Sequence, residues 1–246
     1  MAEHEGPAYV AIITDGNGRW AKARGLSVAD GHRAGAENVR ARLRDAVELG
    51  IRELTVYAFS TENWSRSPAE VKNLIDLIAE YIDRVTPELD AENVRLRFSG
   101  ERGDPVPPGL VKRMEWAEGL TAGNDRITLV VPFNYGGRAE IVRAARAFNG
   151  TTEEEFRAGL YAPEMHDPEL LIRTGGERRL SNYILWQVAE SELIFTDQLW
   201  PDFSRRTFEA AIEQFRQRAE RRPAGDSSPL SHEQLARESR ETLSGH

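Results

Sequence analysis

The sequence has 246 residues, 40% of them hydrophobic, which is enough to bury the core of one domain or at most two. This excludes a disordered chain and a disulfide-rich miniprotein. Lysine and arginine number 32 and aspartate and glutamate number 40, and the resulting net charge of −8 argues against sequence-independent binding to DNA or RNA. Because there is no cysteine, thiolate nucleophiles and cysteine-ligated zinc are excluded as well.

The sequence predicts no targeting signal. The first residues lack a basic segment followed by an apolar run, and no apolar stretch approaches the roughly 20 residues of a membrane-spanning helix. The sequence therefore predicts a cytoplasmic protein without a transmembrane segment. Only Lys22, Lys72 and Lys112 are lysines, so arginine supplies 29 of the 32 basic residues. Because guanidinium groups bind carboxylates and phosphates through paired hydrogen bonds, we expect any anion site to be built from arginine.

Apolar runs and helical repeats alternate along the chain. The β-rich runs predict strands at residues 9–13, 54–59, 94–98, 127–131, 170–172 and 193–195. Apolar residues recur at helical spacing in the segments between and after them, which predicts helices at 32–49, 67–82, 108–120, 138–148 and 208–219. This alternation predicts a single α/β domain with a mostly parallel central sheet flanked by helices.

The end of the chain differs in composition from the rest. A stretch rich in Pro, Gly and Ser begins at residue 224, and residues 231–243 have the pattern of a short charged helix. We therefore assign residues 1–223 to the domain and residues 224–246 to a polar C-terminal tail. The sequence contains no internal repeat and no second apolar core.

Four polar clusters follow predicted strands or open predicted helices. They lie at residues 15–20, 60–66, 134–138 and 173–182. In an open α/β sheet, ligands bind at the carboxyl ends of the strands, in the loops that lead into helices. We therefore expect these four clusters to meet over one edge of the sheet.

The first cluster, Asp15-Gly16-Asn17-Gly18-Arg19-Trp20, combines one carboxylate with two glycines. A carboxylate at a helix entrance ligates Mg²⁺, while backbone N–H groups there hold phosphate oxygens. The competing interpretation is a simple strand-to-helix turn with a cap. The sequence pattern of a P-loop or a GxGxxG fingerprint is not present.

The fourth cluster concentrates arginine near a hydroxyl and two glycines. Such a set suits a diphosphate, because guanidinium groups and a hydroxyl can surround its oxygens; the residues are Arg173, Arg178, Arg179 and Ser181. The alternative is a solvated arginine loop. Ser181 has no nearby His and Asp arrangement, which argues against a serine nucleophile. Without further information, the residues predict an α/β enzyme that handles a phosphate or diphosphate with Mg²⁺.

Single residues are open to structural interpretations. His32, as a lone imidazole, is more typical of a structural residue at a helix entrance than of a catalyst, and no second histidine has metal-ligand spacing to it. Four tryptophans are more typical of packing than of a binding platform: Trp20, Trp64, Trp186 and Trp200.

Taken in order, the four clusters resemble the motif set of the cis-prenyltransferases, whose best-known members are undecaprenyl diphosphate synthases. The resemblance extends from about Val10 to Arg222. Its most specific segments are Asp15-Gly16-Asn17-Gly18-Arg19-Trp20-Ala21, Gly31-His32-Arg33-Ala34-Gly35, Phe59-Ser60-Thr61-Glu62-Asn63-Trp64, Asn134-Tyr135-Gly136-Gly137-Arg138 and Arg179-Leu180-Ser181-Asn182. It implies a homodimer of parallel-sheet subunits, each enclosing an apolar tunnel, that uses Mg²⁺ and two prenyl diphosphates, one allylic and one homoallylic or also allylic.

The resemblance also implies the role of each charged site residue. Asp15 would bind Mg²⁺ and the diphosphates, with Glu192 supporting the metal site near the dimer interface. The allylic diphosphate would be held by Gly16, Asn17, Gly18, Arg19 and Trp20, and the second diphosphate by Arg173, Arg179 and Ser181. Ionisation of an allylic diphosphate develops negative charge on the leaving group, which arginines, N–H groups and a metal stabilise.

The segment after the second strand would face the reacting carbons. Phe59, Ser60 and Asn63 would line them and assist proton removal, and Trp64 and Arg66 would position that segment. His32 would lie close to the diphosphate. The implied catalytic residues are therefore Asp15, His32, Ser60 and Asn63.

Several positions depart from the usual family pattern. Thr14 stands for a usual Met, Val28 for an Arg, and Glu169 for an Asp. The bulky Phe133 and a short connection between residues 138 and 173 predict a tunnel with little room, and hence a short C10 to C15 product.

Two short segments, Gly25-Leu26-Ser27-Val28-Ala29-Asp30-Gly31 and Phe148-Asn149-Gly150, are similar to a lavandulyl-type branch. That branch joins two allylic units head-to-middle, onto dimethylallyl diphosphate. We therefore weigh head-to-middle joining and head-to-tail (Z) synthesis with isopentenyl diphosphate nearly equally, with a slight preference for the former. Long-chain undecaprenyl synthesis comes third.

Two other classes of function compete with these. A non-catalytic partner subunit is disfavoured because Asp15, Asn17, Arg173, Arg179 and Ser181 are all present. An unrelated Mg²⁺-dependent phosphate enzyme would be favoured only if Phe59 and Asn63 could be replaced without loss of turnover.

Overall fold

The structure, a computed structural model, describes residues 6–220. Seven strands form one sheet: β1 (Tyr9–Ile13), β2 (Glu53–Val56), β3 (Phe59–Ser60), β4 (Val94–Ser99), β5 (Ile127–Tyr135), β6 (Leu170–Arg173) and β7 (Glu192–Phe195). Among the described residues every strand pairing is parallel, in the order β3-β5-β2-β1-β6-β7, and β4 also pairs with β5. This confirms the predicted α/β class and the parallel sheet.

Helices connect and cover the strands. They are α1 (Asn17–Ala23), α2 (Val28–Glu48), α3 (Pro68–Ala91), α4 (Pro108–Leu120), α5 (Gly137–Ala147), α6 (Glu153–Arg157) and α7 (Arg205–Glu220). Short 3₁₀ helices lie at Thr61–Ser65 and Trp200–Asp202. Between residues 6 and 220, no helix combines the length and the hydropathy needed to cross a bilayer. The predicted tail and its charged helix at 231–243 lie outside the described residues.

Many boundaries differ from the predicted ones, and β5 extends four residues beyond its predicted end at residue 131. The predicted strand at 54–59 is divided, since β2 ends at Val56 and β3 begins at Phe59. α1 and α6 were not predicted. α2 begins before His32, because Ser27 and Asp30 form a capping box at its start. α3 continues through Pro87 to Ala91, and its late residues Val85 and Leu89 are buried in the core.

Alternate residues of a strand pack into two apolar layers, one on each face of the sheet. In β1, Val10 and Ile12 belong to the core that also holds residues of α2, α3, α4 and α7, whereas Ala11 and Ile13 belong to a smaller core on the other face. This division follows from the two-residue period of a β-strand. The larger core therefore lies between the sheet and the two long helices, α2 and α3.

An apolar cavity of about 160 Å³ lies within that larger core. Its lining begins at Thr14, Asn17 and His32, which follow the carboxyl end of β1, and continues along α3 from Leu74 to Leu89. At 1.5 Å per residue, that part of α3 is about 22 Å long. The cavity is therefore narrow and deep.

Phe133 does not narrow this cavity, so the prediction was wrong on this point. Its ring is stacked on Phe59 with centroids 5.2 Å apart, and it is not part of the cavity lining. Of the residues that the structure describes, none between 138 and 173 lines the cavity either. The short connection therefore lies away from the space where a chain would grow, and the side chains of α2 and α3 limit that space instead.

Candidate functional site

Asp15 and Arg173 form the centre of a charged cluster at the carboxyl ends of β1 and β6. Arg173 is the last residue of β6 and pairs with Ile13 in β1, which places its side chain beside Asp15. Arg173 Nη2 donates to Asp15 Oδ2 at 2.9 Å, and Arg19 Nη2 donates to Asp15 Oδ1 at 3.1 Å. The side chain of Arg173 is 4% exposed and that of Asp15 is 30% exposed. The carboxylate is thus the partly accessible end of a buried ion pair.

Ser181 joins this cluster through the other side of Arg173. Arg173 Nη1 donates to Ser181 Oγ at 2.6 Å and also to the carbonyl oxygen of Arg179. The side chain of Arg179 instead lies outside, 64% exposed and paired with Glu177. The structure therefore brings Asp15, Arg173 and Ser181 together as predicted, but only the main chain of Arg179.

Gly175 allows the loop to pass close to Asp15. Its φ is +83°, and a Cβ there would lie 2.6 Å from Arg19 Nη2 and 3.0 Å from the carbonyl oxygen of Asp15. Arg19 Nη1 donates to the carbonyl oxygen of Gly175 at 2.7 Å. Both the positive φ and the close approach require glycine at this position. This explains one of the two glycines in the arginine-rich cluster.

Asn17 connects the charged cluster with the cavity. It follows Gly16, whose φ of +114° turns the chain from β1 into α1. Its side chain lies against Gly35 of α2, where a Cβ would be 2.5 Å from Asn17 Oδ1. Within residues 6–220, Asn17 Oδ1 is buried and has no hydrogen-bond partner. An unpaired buried polar atom is costly unless a ligand satisfies it.

His32 lies at the same entrance. Its Nε2 is also buried without a partner among the described residues. Burial lowers the pKa of His32, the charge of Arg66 lowers it further, and Glu70 opposes the shift. The imidazole is therefore neutral near pH 7, in a position that lines the cavity.

Trp20 lies outside the cavity, and its predicted binding of substrate stays a prediction. Its Nε1 donates to Asp202 Oδ1 at 2.7 Å, and the guanidinium of Arg24 stacks over its ring at 4.3 Å. Trp20 is not part of the cavity lining. It fixes α1 to the 3₁₀ helix at Trp200–Asp202, which is a packing role.

The segment after β3 is ordered by its own hydrogen bonds. Asn63 Oδ1 accepts from the Ser60 N–H at 2.8 Å, and Trp64 Nε1 donates to Asn134 Oδ1 at 2.8 Å. Arg66 Nη1 donates to Glu70 at 2.6 Å. Ser60 and Asn63 thus form a capping box at the start of the 3₁₀ helix Thr61–Ser65.

Phe59 is packed between two aromatic rings, and its predicted role in lining the reacting carbons stays a prediction. Its ring is 1% exposed and packs between Trp64, at 4.9 Å, and Phe133. The cavity lining does not include Phe59, Ser60, Asn63, Trp64 or Arg66.

Tyr57 and Ala58 are functional candidates that the sequence reasoning missed. Both line the cavity, and Thr14 Oγ1 donates to the carbonyl oxygen of Tyr57 at 2.8 Å. They occupy the break between β2 and β3, which the prediction treated as continuous strand. Strand alternation alone could not have revealed this break.

Glu192 lies away from Asp15 within one subunit, so its support of a metal site near a dimer interface stays a prediction. It is the first residue of β7 and pairs with Leu170, whereas the Asp15 cluster follows the opposite, carboxyl ends of the strands. Arg218 Nη1 donates to Glu192 Oε2 at 3.1 Å. Glu192 therefore lies at the amino edge of the sheet.

Asp15 could bind Mg²⁺ as a single carboxylate ligand. Over residues 6–220, no three His, Cys, Asp or Glu side chains are grouped to hold a metal. Mg²⁺ commonly binds through one or two carboxylates together with substrate phosphates and water. Each oxygen of Asp15 accepts one hydrogen bond from an arginine, so each keeps a lone pair for a cation. A metal here would thus depend on the diphosphate for its other ligands.

Known proteins are similar to this chain along most of its length. A family model described as "Putative undecaprenyl diphosphate synthase" matches residues 13–223. An isoprenyl transferase of Rhizobium meliloti is 48% identical over 241 residues, covering 91% of this chain and 94% of the relative. A trans,polycis-polyprenyl diphosphate synthase of Thermobifida fusca, described as (2Z,6E)-farnesyl diphosphate specific, is 43% identical and covers 94% and 85%.

Solved structures that are similar to this chain belong to the same kind of enzyme by their names. Lavandulyl diphosphate synthase from Lavandula x intermedia, in complex with dimethylallyl diphosphate, superposes with a TM-score of 0.81 at 33% identity, covering 87% of this chain and 97% of that one. A probable undecaprenyl diphosphate synthase from Campylobacter jejuni gives 0.73 at 28% identity, covering 88% and 96%. The chain therefore belongs to the undecaprenyl diphosphate synthase family, the cis-prenyltransferases, and is a prenyltransferase enzyme.

Proposed function

We propose that this enzyme condenses a short allylic prenyl diphosphate with isopentenyl diphosphate, head to tail, into a short Z-prenyl diphosphate. The observation that supports this most is the Asp15–Arg173–Ser181 cluster beside a narrow apolar cavity, since Thr14 and Asn17, which flank Asp15 in sequence, line that cavity. A cluster of arginines and a carboxylate suits diphosphates, and an apolar cavity suits a hydrocarbon chain.

In the proposed reaction, the allylic donor occupies the side of Asp15, Asn17 and Arg19. The C–O bond to its diphosphate breaks, and negative charge develops on the leaving oxygens. Arg19 stabilises that charge at the exposed side of Asp15. When bound at Asp15, Mg²⁺ supplies additional Lewis-acid stabilisation of the leaving diphosphate. The unpaired Nε2 of His32, as an N–H donor, donates to the diphosphate of the allylic donor and orients it between the cluster and the cavity.

The second substrate occupies the side of Arg173 and Ser181. Arg173 is held by Asp15 and Ser181, so its guanidinium is ordered before a diphosphate arrives. The new C–C bond forms between the allylic carbon and the double bond of isopentenyl diphosphate, which then loses a proton. From the family resemblance, we assign assistance of this proton loss to Ser60 and Asn63.

The size of the cavity supports a short product. Its volume, about 160 Å³, is at the scale of a short hydrocarbon segment and far below that of a long polyprenyl chain. A chain of many isoprene units would require α2 and α3 to move apart. We therefore propose a product of C10 to C15.

Product analysis tests this function. The purified full chain is incubated with Mg²⁺ and dimethylallyl or geranyl diphosphate, with and without isopentenyl diphosphate, and the products are identified by mass spectrometry and NMR. We expect a linear Z product of C10 to C15 only when isopentenyl diphosphate is present. Absence of any C–C bond formation with all substrate pairs would contradict the proposal.

Head-to-middle joining of two allylic diphosphates is the second candidate. It is favoured by the similarity to the lavandulyl diphosphate synthase structure and by the two short segments noted in the sequence. We prefer head-to-tail joining over the slight preference that those segments give, because the isoprenyl transferases are 43% to 48% identical to this chain and the lavandulyl diphosphate synthase 33%. A branched product from dimethylallyl diphosphate alone would establish this second candidate.

The assembly and location are also proposed from the family resemblance. We propose a homodimer that acts in the cytoplasm on prenyl diphosphates. Sedimentation of the purified protein tests the dimer, for which we expect twice the mass of 27.7 kDa. A mass that stays at one subunit across the concentration range would contradict it.

A further inference from the structure

Asn182 joins three separate segments of the chain. Its Nδ2 donates to Glu62 Oε1 at 2.8 Å, in the 3₁₀ helix that also contains Asn63. Its Oδ1 accepts from the Arg138 N–H at 2.8 Å, and its carbonyl oxygen accepts from the Gly137 N–H at 2.8 Å. The side chain and main chain of one residue therefore hold the start of α5 and the 3₁₀ helix together.

The three segments pack without spare room. A Cβ on Gly136 would lie 2.7 Å from Thr61 Oγ1 and 3.0 Å from Asn182 Nδ2. A Cβ on Gly137 would lie 2.8 Å from Leu185 Cγ. Because the contacts are this close, a shift of one segment must be passed to the others.

Asn182 and Glu62 each lie in a turn that belongs to a different part of the site. Asn182 directly follows Ser181, whose hydroxyl accepts from Arg173 and thereby connects to Asp15. Both residues have positive φ, +49° for Ser181 and +61° for Asn182, so the turn has an uncommon backbone conformation. Glu62 lies between Ser60 and Asn63, whose hydrogen bond orders the other turn.

The hydrogen bond to Glu62 favours an ionised acceptor. Partial burial raises the pKa of Glu62, but hydrogen bonds from Asn182 and from its own turn outweigh this and lower the pKa. The carboxylate is therefore ionised near pH 7 and accepts from the Asn182 amide as a charged partner.

We propose that Asn182 and Glu62 are positioning residues, which make the placement of the Ser60–Asn63 turn depend on a diphosphate bound at Arg173 and Ser181. Neither residue contacts the reacting atoms. This inference rests on the proposed function for its role in turnover, but the coupling itself is a property of the two turns.

Reversal of one hydrogen bond tests the proposal. In Asn182→Asp, a carboxylate faces Glu62, while the acceptor for the Arg138 N–H and the backbone bond are kept. We expect kcat/KM for the second substrate to fall about 10- to 100-fold, because the turn is misplaced. In the double variant Asn182→Asp with Glu62→Gln, the glutamine amide donates to the aspartate, and we expect most of the loss to be recovered.

A second measurement is independent of turnover. Hydrogen–deuterium exchange is followed with inorganic diphosphate and Mg²⁺. In the wild type we expect diphosphate to protect residues 60–66 as well as 173–182. In Asn182→Asp we expect protection at 173–182 only, and in the double variant we expect both again.

Asn149→Asp, an exposed substitution of the same kind, controls for the added charge. Thermal unfolding of each variant shows whether it is folded. Equal protection of residues 60–66 in the wild type and in folded Asn182→Asp, or no protection of them in the wild type, would overturn the inference. A wild type that shows this protection but forms no C–C bond would contradict the proposed function and leave the coupling supported.

Discussion

The charged cluster around Arg173 and the apolar cavity behind it are held in different ways. Arg173 is fixed by directional hydrogen bonds to Asp15, Ser181 and the main chain of Arg179. The cavity is enclosed by side chains of α2, α3 and the sheet that pack without direction. The cluster should therefore depend on exact chemical groups, whereas the cavity should depend on volume.

Asn17 and His32 mark where the two regions meet. Each has a buried polar atom without a partner within residues 6–220, at the polar end of an otherwise apolar lining. Substitutions in the charged cluster should therefore change the reaction rate. Substitutions in the cavity should change the length of the product.

Loss of the Asp15 carboxylate should give the largest effect. Asp15→Ala removes the partner of Arg19 and Arg173 and the only carboxylate proposed for Mg²⁺, so we expect kcat/KM to fall by about 1000-fold or more. Steady-state kinetics measures this, with Asp83→Ala, an exposed residue paired with Arg113, as control. If turnover of Asp15→Ala were close to that of the wild type, the proposed role of the Asp15 carboxylate would be contradicted.

Replacement of Arg173 by lysine should give the next effect. Lysine keeps the charge but cannot donate to Asp15 and Ser181 through a planar fork, so we expect KM for the second diphosphate to rise about 10- to 100-fold. The matched control is Arg143→Lys, on the exposed side of α5. If both variants bind the second substrate alike, the geometry of the guanidinium does not matter.

His32 should give a smaller effect, visible as a pH dependence of stability. Because burial lowers its pKa below the ordinary 6.5, the unfolded chain binds the proton more readily than the folded protein. The stabilisation from neutral His32 is therefore complete above the unfolded pKa and is lost as the pH falls below it. Denaturant unfolding between about pH 7 and about pH 5 should show a steeper loss of the free energy of unfolding in the wild type than in His32→Gln. Parallel curves would contradict a buried neutral His32.

Val28 should give the smallest effect. It is 47% exposed at the start of α2, and it lines a surface groove together with His32. Val28→Arg places a guanidinium at this groove, and we expect KM for the allylic donor to fall about two- to fivefold, as for an exposed ion pair. Leu26→Arg, 46% exposed and outside the groove, is the control. The same change in both variants would show a general charge effect.

The sequence was sufficient to predict the centre of the charged cluster, because residues that follow parallel strands lie at one edge of the sheet. Asp15 and Arg173 follow apolar runs, and parallel strands bring such positions to one edge. The same rule places Glu192, which precedes the predicted strand and is the first residue of β7, at the opposite edge.

Contacts between side chains distant in sequence could not be predicted. Phe59 packs on Phe133, and Trp20 on Asp202, through tertiary contacts that no local pattern reveals. The short helix α1 and the break after β2 depend on a turn at Gly16 and on strand register, respectively. These are the features that decide which residues line the cavity.

In the proposed function, the cavity beside α3 receives the growing chain and limits its length. The charged cluster performs the reaction. The most direct test is the product length of Ile78 variants, measured by mass spectrometry, since Ile78 lines the cavity and Val142, 51% exposed on α5, does not. We predict that Ile78→Ala lengthens the product and Ile78→Phe shortens it, with turnover of the smallest donor retained, while Val142→Phe changes neither. Unchanged product length in both folded Ile78 variants would contradict the claim.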